Sequence, residues 1–262
     1  MVMSELSVDH DPHNYRTAAT EAQFRENLAA VEARIAAACE RAGRDRAEVR
    51  LLPVSKTVPE ARIREAVAAG MTRLGENKVQ EAKRKWQNLG DLGVEWAVIG
   101  HLQRNKARDV AEFAAEFQAL DSERLAVTLD RRLQMVGRSL EVYVQVNTSG
   151  EESKFGLDPD QVPGFLRSLP HYSALKVRGF MTLAVFSDDT ERVRRCFRVL
   201  REVRDRARQD FGDVIGAGEL SMGMSGDYEL AIAEGANVVR VGQAIFGRRA
   251  LPDSHYWPGL AE

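Results

Sequence analysis

The sequence predicts an α/β fold, a (β/α)8 TIM barrel with an extra N-terminal helix. Strand-like and helix-like segments alternate eight times after one leading helix, which is typical of a parallel sheet covered by helices. The chain has 262 residues, and eight such units in about 250 residues match a closed barrel. A doubly wound open sheet is the second possibility. It is less favoured because no Gly-x-Gly-x-x-Gly run follows the first strand.

The leading helix begins at a capping-box pattern over residues 20–23. Apolar residues then recur every three or four positions, which indicates one buried helix face, and Gly43 ends the helix. These apolar residues are Phe24, Leu28, Val31, Ile35 and Cys39. The polar stretch 1–19 is predicted to be a flexible tail, residues 20–250 to form one barrel domain, and residues 251–262 to form a C-terminal tail.

Short apolar runs bounded by turn residues predict the eight strands, at 49–54, 73–74, 95–99, 117–120, 140–146, 175–180, 219–221 and 238–241. The second run is short and weak, and the fifth, Leu-Glu-Val-Tyr-Val-Gln-Val, has the strongest strand pattern. Helical spacing predicts helices at 59–69, 79–89, 105–113, 123–136, 159–169, 190–211, 227–234 and 244–246. Pro59 opens the first of these helices, Gly70 stops it, and Asp158 caps the fifth.

The composition excludes several classes of protein. A hydrophobic share of 44% with 29% charged residues is ordinary for a globular chain. The net charge of −2 gives no reason to expect a nucleic acid or an anionic membrane as the main partner. No apolar run approaches the roughly 18 residues of a membrane span. Cys39 and Cys196 lie far apart, so we expect no disulfide and a cytoplasmic location. The arginine-rich stretch 192–208 carries interleaved acidic residues and is predicted to be a solvated helix face.

Lys56 stands where the first strand ends and the proline-started helix follows. Because strand carboxyl ends converge on one face of a barrel, Lys56 is predicted to lie at the barrel mouth. Burial in an apolar mouth would lower the pKa of its amine and free the lone pair for attack on a carbonyl group. The alternative interpretation is a surface lysine at a strand end.

Two glycine-containing loops follow the last two strands, Gly223-Met224-Ser225-Gly226 and Val241-Gly242-Gln243. Glycine allows backbone N–H groups to approach an anion, and the helix that follows adds a favourable dipole. The last two strands are also the usual phosphate site of barrel enzymes. We therefore predict a phosphate site here, with tight turns that need glycine for backbone reasons as the alternative.

Other polar strand ends give weaker indications. Arg240 is a permanent cation on an inward strand position, so it needs an acceptor such as a ring nitrogen, a carboxylate or a neighbouring residue such as Glu76. His101 has no carboxylate at a suitable spacing and is a weak acid–base candidate. No cluster has metal-ligand spacing, and no serine lies in a nucleophile elbow.

The strand-end motifs form an ordered set, each modest alone and highly specific together: Val54-Ser-Lys56 with Pro59, Gly75-Glu-Asn77-x-Val79-Gln-Glu81, Ile99-Gly-His-Leu-Gln103-x-Asn105-Lys106, Ser153-Lys154-x-Gly156, Ser221-Met-Gly-Met-Ser225-x-Asp227 and Val239-Arg240-x-Gly242-x-Ala244-Ile-Phe-Gly247-x-Arg249. From residue 28 to residue 249 the chain resembles the pyridoxal phosphate homeostasis protein family, the single-domain relatives of the alanine racemase barrel. Two departures from that pattern are Leu74, where an aromatic residue is usual, and Gly226, where a polar residue is common.

The resemblance implies roles for individual residues around pyridoxal 5′-phosphate. Lys56 would be the lysine that holds the cofactor as an aldimine, and Asn77 would line the pocket near it. Arg240 would face the pyridine nitrogen. The phosphate would be held by Ser225, Gly242 and Gln243 through side chain and backbone, and Met224 would be a further cofactor-binding residue. Lys83 and Lys154 are possible secondary lysines during cofactor release.

The resemblance also implies a function. An arginine at the pyridine nitrogen disfavours its protonation, which makes the ring a weak electron sink. Racemisation needs an acid and a base on opposite faces, and only Lys56 is a credible member of such a pair. The racemase relatives supply a tyrosine with the help of a C-terminal β domain, and here Tyr256 and His255 lie in a tail of about 20 residues after the last strand, too short for such a domain. We therefore expect a cofactor carrier that maintains vitamin B6 and amino-acid homeostasis without efficient catalysis.

Three other functions stay open. One is a pyridoxal phosphate-dependent amino-acid racemase, and another is a Schiff-base aldolase that acts on a phosphosugar. A nucleic-acid or scaffold protein has support only from the arginine-rich stretch 192–208. We expect a monomer whose protein partners are transient, apo pyridoxal phosphate enzymes that receive the cofactor.

Overall fold

The computed structural model describes residues 15–151 and 155–248, which form an eight-stranded parallel barrel with helices around it. The strands are β1 (Arg50–Pro53), β2 (Arg73–Glu76), β3 (Glu95–Val98), β4 (Glu116–Leu120), β5 (Leu140–Gln145), β6 (Leu175–Met181), β7 (Glu219–Ser221) and β8 (Val238–Val241). The α-helices are α1 (Glu21–Arg41), α2 (Glu60–Ala68), α3 (Val79–Asn88), α4 (Ala107–Phe113), α5 (Glu123–Met135), α6 (Val162–Ser168), α7 (Thr190–Ile215), α8 (Tyr228–Ala233) and α9 (Gln243–Phe246). Hydrogen-bonded neighbours follow the order β1-β8-β7-β6-β5-β4-β3-β2. The prediction of a (β/α)8 barrel with an extra N-terminal helix is confirmed.

An isolated bridge between the ends of β1 and β2 closes the ring. Val54, one residue past β1, pairs with Gly75 of β2, and the Ser55 N–H donates to the Gly75 carbonyl at 3.0 Å. A Cβ added to Gly75 would lie 3.2 Å from Val54 Cγ2, so the two strands approach closely because residue 75 has no side chain. This seam directly precedes Lys56, so the closure of the barrel and the placement of the lysine depend on the same backbone.

Four predicted elements differ from the observed ones by two residues or more at one end. β2 runs two residues further than predicted, to Glu76. α7 continues past its predicted end to Ile215, although Phe211 has non-helical φ −134° and ψ 26°. The helix resumes after this kink because Ile215 is fully buried in the core. α4 and α6 begin later than predicted because short 3-10 turns, Arg104–Lys106 and Pro159–Gln161, precede them.

α1 begins at the predicted capping box and packs across the last helices. The Gln23 side chain accepts the Thr20 N–H at 3.3 Å, while the Thr20 hydroxyl accepts the Gln23 N–H. The Phe24 and Phe246 rings meet edge to face with centroids 5.5 Å apart, which fixes α1 against α9. Arg34 of α1 pairs with Glu229 of α8 at 2.7 Å. The extra helix is therefore part of the same body as the end of the barrel.

The residues that lead into α1 lie against the barrel. Ala18 is buried, and its carbonyl accepts Arg62 Nε at 2.7 Å. Thr17 packs so closely on Gly247 that a Cβ there would lie 2.4 Å from Thr17 Cα. The stretch 1–19 was expected to be a flexible tail, and residues 15–18 of it make these contacts. Residues 1–14 and 249–262 lie outside the described residues, so the division into tails and domain stays a prediction.

The arginine-rich face of α7 is only partly solvated. Arg194, Arg198 and Arg201 converge on Glu234, a buried carboxylate at the end of α8, with N–O distances of 3.4, 3.3 and 2.9 Å. These arginines bind an internal acceptor, which leaves less charge for an external partner than the sequence indicates. In the described ranges, no helix combines the length and the apolar character that crossing a membrane requires.

Candidate functional site at the mouth of the barrel

Lys56 occupies a tight turn that begins where β1 ends. The Val58 N–H donates to the Ser55 carbonyl at 3.0 Å, which closes the turn around Lys56 and Thr57. Lys56 is half-buried, and Ser55 before it is completely buried. Thr57 has φ 65°, the left-handed region that glycine or asparagine usually occupies. The structure therefore places Lys56 at the predicted barrel mouth, on a backbone with little freedom to move.

A cavity of about 430 Å³ brings Lys56 together with the last βα loop. Lys56, Thr57 and Arg62 line one side of it, and Gly242 and Gln243 line the other. A cavity of this size falls in the range of small-molecule sites. Lys56 thus shares one concave surface with Gly242 and Gln243, whereas Met224 and Ser225, which are also predicted site residues, are not among the residues that line it.

The two predicted phosphate loops are joined by a hydrogen bond. The Gly242 N–H donates to Ser225 Oγ at 3.2 Å. The loop before Ser225 turns at Gly223, where φ is 95° and a Cβ would lie 2.7 Å from Ala231 Cβ, so no other residue fits. Met224 follows, half-buried, and its N–H donates to Asp227. The helices after the loops, α8 and α9, have only six and four residues, so backbone N–H groups contribute more to anion binding here than helix dipoles do.

Arg240 is buried inside the barrel, and among residues 15–151 and 155–248 no carboxylate is its hydrogen-bond partner. Its guanidinium donates to Ser221 Oγ at 2.7 Å and to the Thr182 carbonyl at 2.8 Å. Burial lowers the pKa of Arg240 to about 10, against the opposing charges of Asp227 and Glu116. The suggestion that Glu76 satisfies Arg240 is wrong, since Glu76 bonds instead to Ser55 Oγ at 2.6 Å and to Lys85. Neutral partners leave the buried cation available for a further acceptor.

Ser221 also fixes the direction of Arg240 through a polar chain across the barrel interior. Its hydroxyl donates to Gln118 Oε1 at 2.7 Å, and Gln118 in turn donates to Glu116. Glu116 is completely buried and pairs with Arg50 at 2.7 Å. Each side chain in this series of hydrogen bonds has a defined donor or acceptor role. The series therefore holds the Ser221 hydroxyl, and with it the Arg240 guanidinium, in one orientation.

Asn77 is the predicted site residue that the structure connects least to the others. It is half-buried after β2, and its carbonyl lies where a Cβ on Gly100 would be 2.1 Å away, so β2 and β3 are tightly packed there. In the described ranges, neither Asn77 nor Arg240 lines the cavity beside Lys56. Their role in cofactor binding stays a prediction.

Of the two lysines proposed to act in cofactor release, the structure describes only Lys83. Lys83, on α3, pairs with Asp109 and Glu112 of α4, both at 2.8 Å. These hydrogen bonds raise the pKa of Lys83, which disfavours the neutral amine that release would need. Lys154 lies outside the described residues, as do Tyr256 and His255.

Sequence reasoning missed two features of this face. Asp121, just past β4, lies 3.3 Å from His101 Nδ1, so His101 has the carboxylate neighbour that its sequence context does not show. The His101 ring also stacks on Phe155 at 3.7 Å. The second feature is Lys85, which is completely buried. Its position three residues after Ala82, on the apolar stripe of α3, is a signal that could have identified it. Within the described residues, no group of three or more His, Cys, Asp or Glu side chains is arranged to hold a metal ion.

With this geometry in place, comparison with known proteins shows the family. Residues 27–250 match the family model of the alanine racemase N-terminal domain. A pyridoxal phosphate homeostasis protein of Aquifex aeolicus is 40% identical over 224 residues, covering 86% of this chain and 97% of that protein. The chain belongs to the pyridoxal phosphate homeostasis protein family. A second family member, from Pseudomonas aeruginosa, is 42% identical over 86% of this chain and 95% of its own length.

A solved structure supports the same relationship. PipY of Synechococcus elongatus, with pyridoxal phosphate bound, is 36% identical and superposes with a TM-score of 0.75. The match covers 86% of this chain and all of PipY. The family assignment made from the ordered motifs is therefore confirmed.

Proposed function

We propose that this protein binds pyridoxal 5′-phosphate covalently through Lys56 and serves as a carrier that maintains vitamin B6 and amino-acid homeostasis. One observation carries the proposal: Lys56 shares a cavity with Gly242 and Gln243, and Gly242 is hydrogen-bonded to Ser225 in the neighbouring loop. An amine and a set of phosphate-binding groups on one surface match the two ends of this cofactor. The family name and the cofactor in PipY support the same ligand.

The residues present fit the cofactor. Its phosphate would meet the Ser225 hydroxyl and the backbone at Gly242 and Gln243, with Met224 in the same loop. A Cβ on Gly242 would lie 3.1 Å from the Val54 carbonyl oxygen, so glycine lets this loop pack closely against the end of β1, next to the turn that holds Lys56. The pyridine nitrogen would meet Arg240, whose present partners are neutral. When bound, the cofactor supplies an aldehyde that reacts with amines and a ring that can accept electrons.

The protein's own residues favour retention over catalysis. An arginine at the ring nitrogen would keep that nitrogen unprotonated, because two positive charges in a buried site repel each other. In the described part of the chain, the cavity lining offers no histidine, tyrosine, cysteine or carboxylate as a second acid or base beside Lys56. A weak racemase is the alternative, and the match to the racemase family model favours it over other enzymes.

The proposal also covers the oligomeric state, the location and the protein partners. We propose a monomer in the cytoplasm that meets apo pyridoxal phosphate enzymes transiently to pass on its cofactor. Cys39 and Cys196 are both buried and unpaired, which suits a reducing compartment. Residues 20–250 would form the binding domain, with Asn77 near the cofactor.

The experiment that tests the proposal is covalent trapping. The purified protein is mixed with pyridoxal 5′-phosphate, reduced with borohydride and analysed by peptide mass mapping. We expect one adduct, on Lys56, and none in Lys56→Ala, whose circular dichroism should match the wild type. An adduct elsewhere in Lys56→Ala would show that the lysine is wrong. No adduct on the wild type would reject the cofactor and make the phosphosugar aldolase the leading hypothesis.

A further inference from the structure

The residues on both sides of Lys56 are held by one polar cluster, which consists of Lys85, Glu81, Glu76 and Ser55. Three of its members are completely buried, and Glu81 is partly exposed. The Lys85 ammonium donates three hydrogen bonds: to the Ser55 carbonyl at 2.8 Å, to Glu76 Oε1 at 2.7 Å and to Glu81 Oε1 at 2.7 Å. All three protons of the ammonium are therefore used. We call these four residues the Lys85 cluster.

The Lys85 cluster contacts the backbone before and after Lys56. On one side, the Ser55 carbonyl accepts from Lys85 as well as from the Val58 N–H that closes the turn. On the other side, Glu81 Oε1 accepts the Thr57 N–H at 2.8 Å. Lys56 is thus the central residue of a segment whose two neighbours bind the same carboxylate–ammonium pair.

The contact to Thr57 compensates for an unfavourable backbone conformation. Thr57 is the only non-glycine residue in the described ranges with a positive φ, and it is β-branched. A β-branched residue is an outlier in this region, because its Cβ lies too close to the following carbonyl oxygen. The Glu81 carboxylate offers a charge-assisted hydrogen bond to the Thr57 N–H in this conformation. Without that acceptor, the turn would relax to a less strained backbone conformation, and Lys56 would move with it.

The composition of the Lys85 cluster argues against a purely structural role. Ser55, Glu76 and Lys85 are each 0% exposed, and Glu76 Oε2 has no hydrogen-bond partner among the described residues. Burial raises the pKa of Glu76 to about 7, which shows that its charge is held at a cost. Apolar residues of similar size would fill this space with less penalty. A polar cluster at this place needs a function that apolar packing does not provide. The cluster contacts the backbone directly before and after Lys56.

We propose that Glu81 and Lys85 are positioning residues that hold the Ser55–Val58 turn in its strained form and so fix the direction of the Lys56 side chain for reaction with the cofactor aldehyde. This inference rests on the proposed function, because it assumes that Lys56 forms the covalent link. In that link the neutral amine would form a C=N bond to the aldehyde carbon, and the aldehyde oxygen would leave as water with the two amine protons. Lys85 itself does not compete for the aldehyde, since its ammonium is buried and fully hydrogen-bonded.

The test measures the rate of adduct formation between the intact protein and pyridoxal 5′-phosphate by stopped-flow absorbance. Glu81→Ala removes the acceptor for Thr57 and leaves Lys85 with two partners, so the fold should persist. We expect this variant to react about tenfold more slowly, which corresponds to about 1.4 kcal/mol. Glu81→Gln keeps an acceptor oxygen for the Thr57 N–H and should react nearly as fast as the wild type.

A second substitution separates positioning from general stability. Thr57→Gly in the Glu81→Ala background lets residue 57 adopt a positive φ without the carboxylate. It should recover most of the rate, although it adds no contact. Amide hydrogen exchange at Thr57 in the cofactor-free protein gives an independent readout, fast in Glu81→Ala and slow in the wild type.

Glu112→Ala is the matched control, because it also removes a carboxylate that binds an α3 lysine, in this case Lys83. It should leave the rate unchanged. An unchanged rate in Glu81→Ala would overturn the inference, as would equal slowing in Glu112→Ala or no recovery with Thr57→Gly. If the wild type forms no adduct, the proposed function itself fails. The two failures are therefore distinguishable.

Discussion

The hydroxyl of Ser225 accepts the backbone N–H of Gly242 at 3.2 Å, and this bond joins the loops that follow β7 and β8. A hydroxyl has one proton to donate and two lone pairs that accept. Accepting from Gly242 therefore leaves the Ser225 proton available for an external anion. The same contact sets the spacing between the two loops. The Ser225 side chain therefore both positions the loops and offers a hydrogen-bond donor to the proposed phosphate site.

Ser225→Ala should weaken cofactor retention without preventing the covalent link. The substitution removes one charge-assisted hydrogen bond, worth about 1.5–3 kcal/mol, so the dissociation constant should rise about tenfold or more. Equilibrium dialysis against pyridoxal 5′-phosphate measures it. Ser168→Ala on α6, where the hydroxyl donates to the Phe165 carbonyl, serves as the control. Unchanged affinity in Ser225→Ala would show that this loop does not bind the phosphate.

Tyr15→Phe tests whether the segment before α1 supports the same loop. The Tyr15 hydroxyl donates to the Ser225 carbonyl at 3.1 Å. A neutral hydrogen bond of this kind contributes about 0.5–1.5 kcal/mol, so the cofactor should dissociate about threefold faster from the variant. The rate is followed by transfer to an excess of an apoenzyme that binds the cofactor tightly. Tyr172→Phe, which removes a hydroxyl bonded to Glu123, should have no such effect.

Arg240→Met should separate cofactor binding from stability. The wild-type guanidinium is buried against neutral partners, and replacing a buried charge by an apolar residue of similar length is often neutral or stabilising. We expect the cofactor-free variant to keep its free energy of unfolding in urea, while its affinity for pyridoxal 5′-phosphate falls at least tenfold. A loss of several kcal/mol in the cofactor-free protein with unchanged affinity would instead make Arg240 a structural residue.

The sequence predicted the order of elements and the strand-end residues, because both depend on local patterns. Apolar alternation locates β5, and strand ends in a barrel converge whatever the side chains are. The sequence alone therefore predicts that Lys56 and Gly242 lie on one face of the barrel. The predicted helix ends at Phe211, whereas α7 continues to Ile215, because the local sequence pattern does not show that Ile215 is buried beyond the kink.

The contacts across elements could not be predicted in the same way. Lys85 and Glu76 are nine residues apart on different elements, and only their burial side by side makes them a pair. The sequence around β4 contains no motif that singles out Asp121, although this residue lies beside His101 in the fold. Residues that only position other residues leave weaker sequence patterns than residues that contact the ligand.

Glu76 should make stability depend on pH in an unusual direction. Burial raises its pKa from 4.5 to about 7, so the folded protein holds the Glu76 proton over a range in which the unfolded chain has lost it. Stability from this group is therefore present below about pH 4.5 and is lost as the pH rises to about 7. The loss is about 3 kcal/mol at most.

Urea unfolding of the cofactor-free protein at pH 5, 6 and 7 measures this effect as a difference between wild type and Glu76→Gln. The variant has no proton to lose, so its free energy of unfolding relative to the wild type should rise steadily across this range. Glu26→Gln removes a carboxylate from the exposed face of α1 and should follow the wild-type slope. Parallel slopes for Glu76→Gln and the wild type would mean that Lys85 keeps Glu76 ionised throughout, and that the Lys85 cluster holds its full charge at every pH tested.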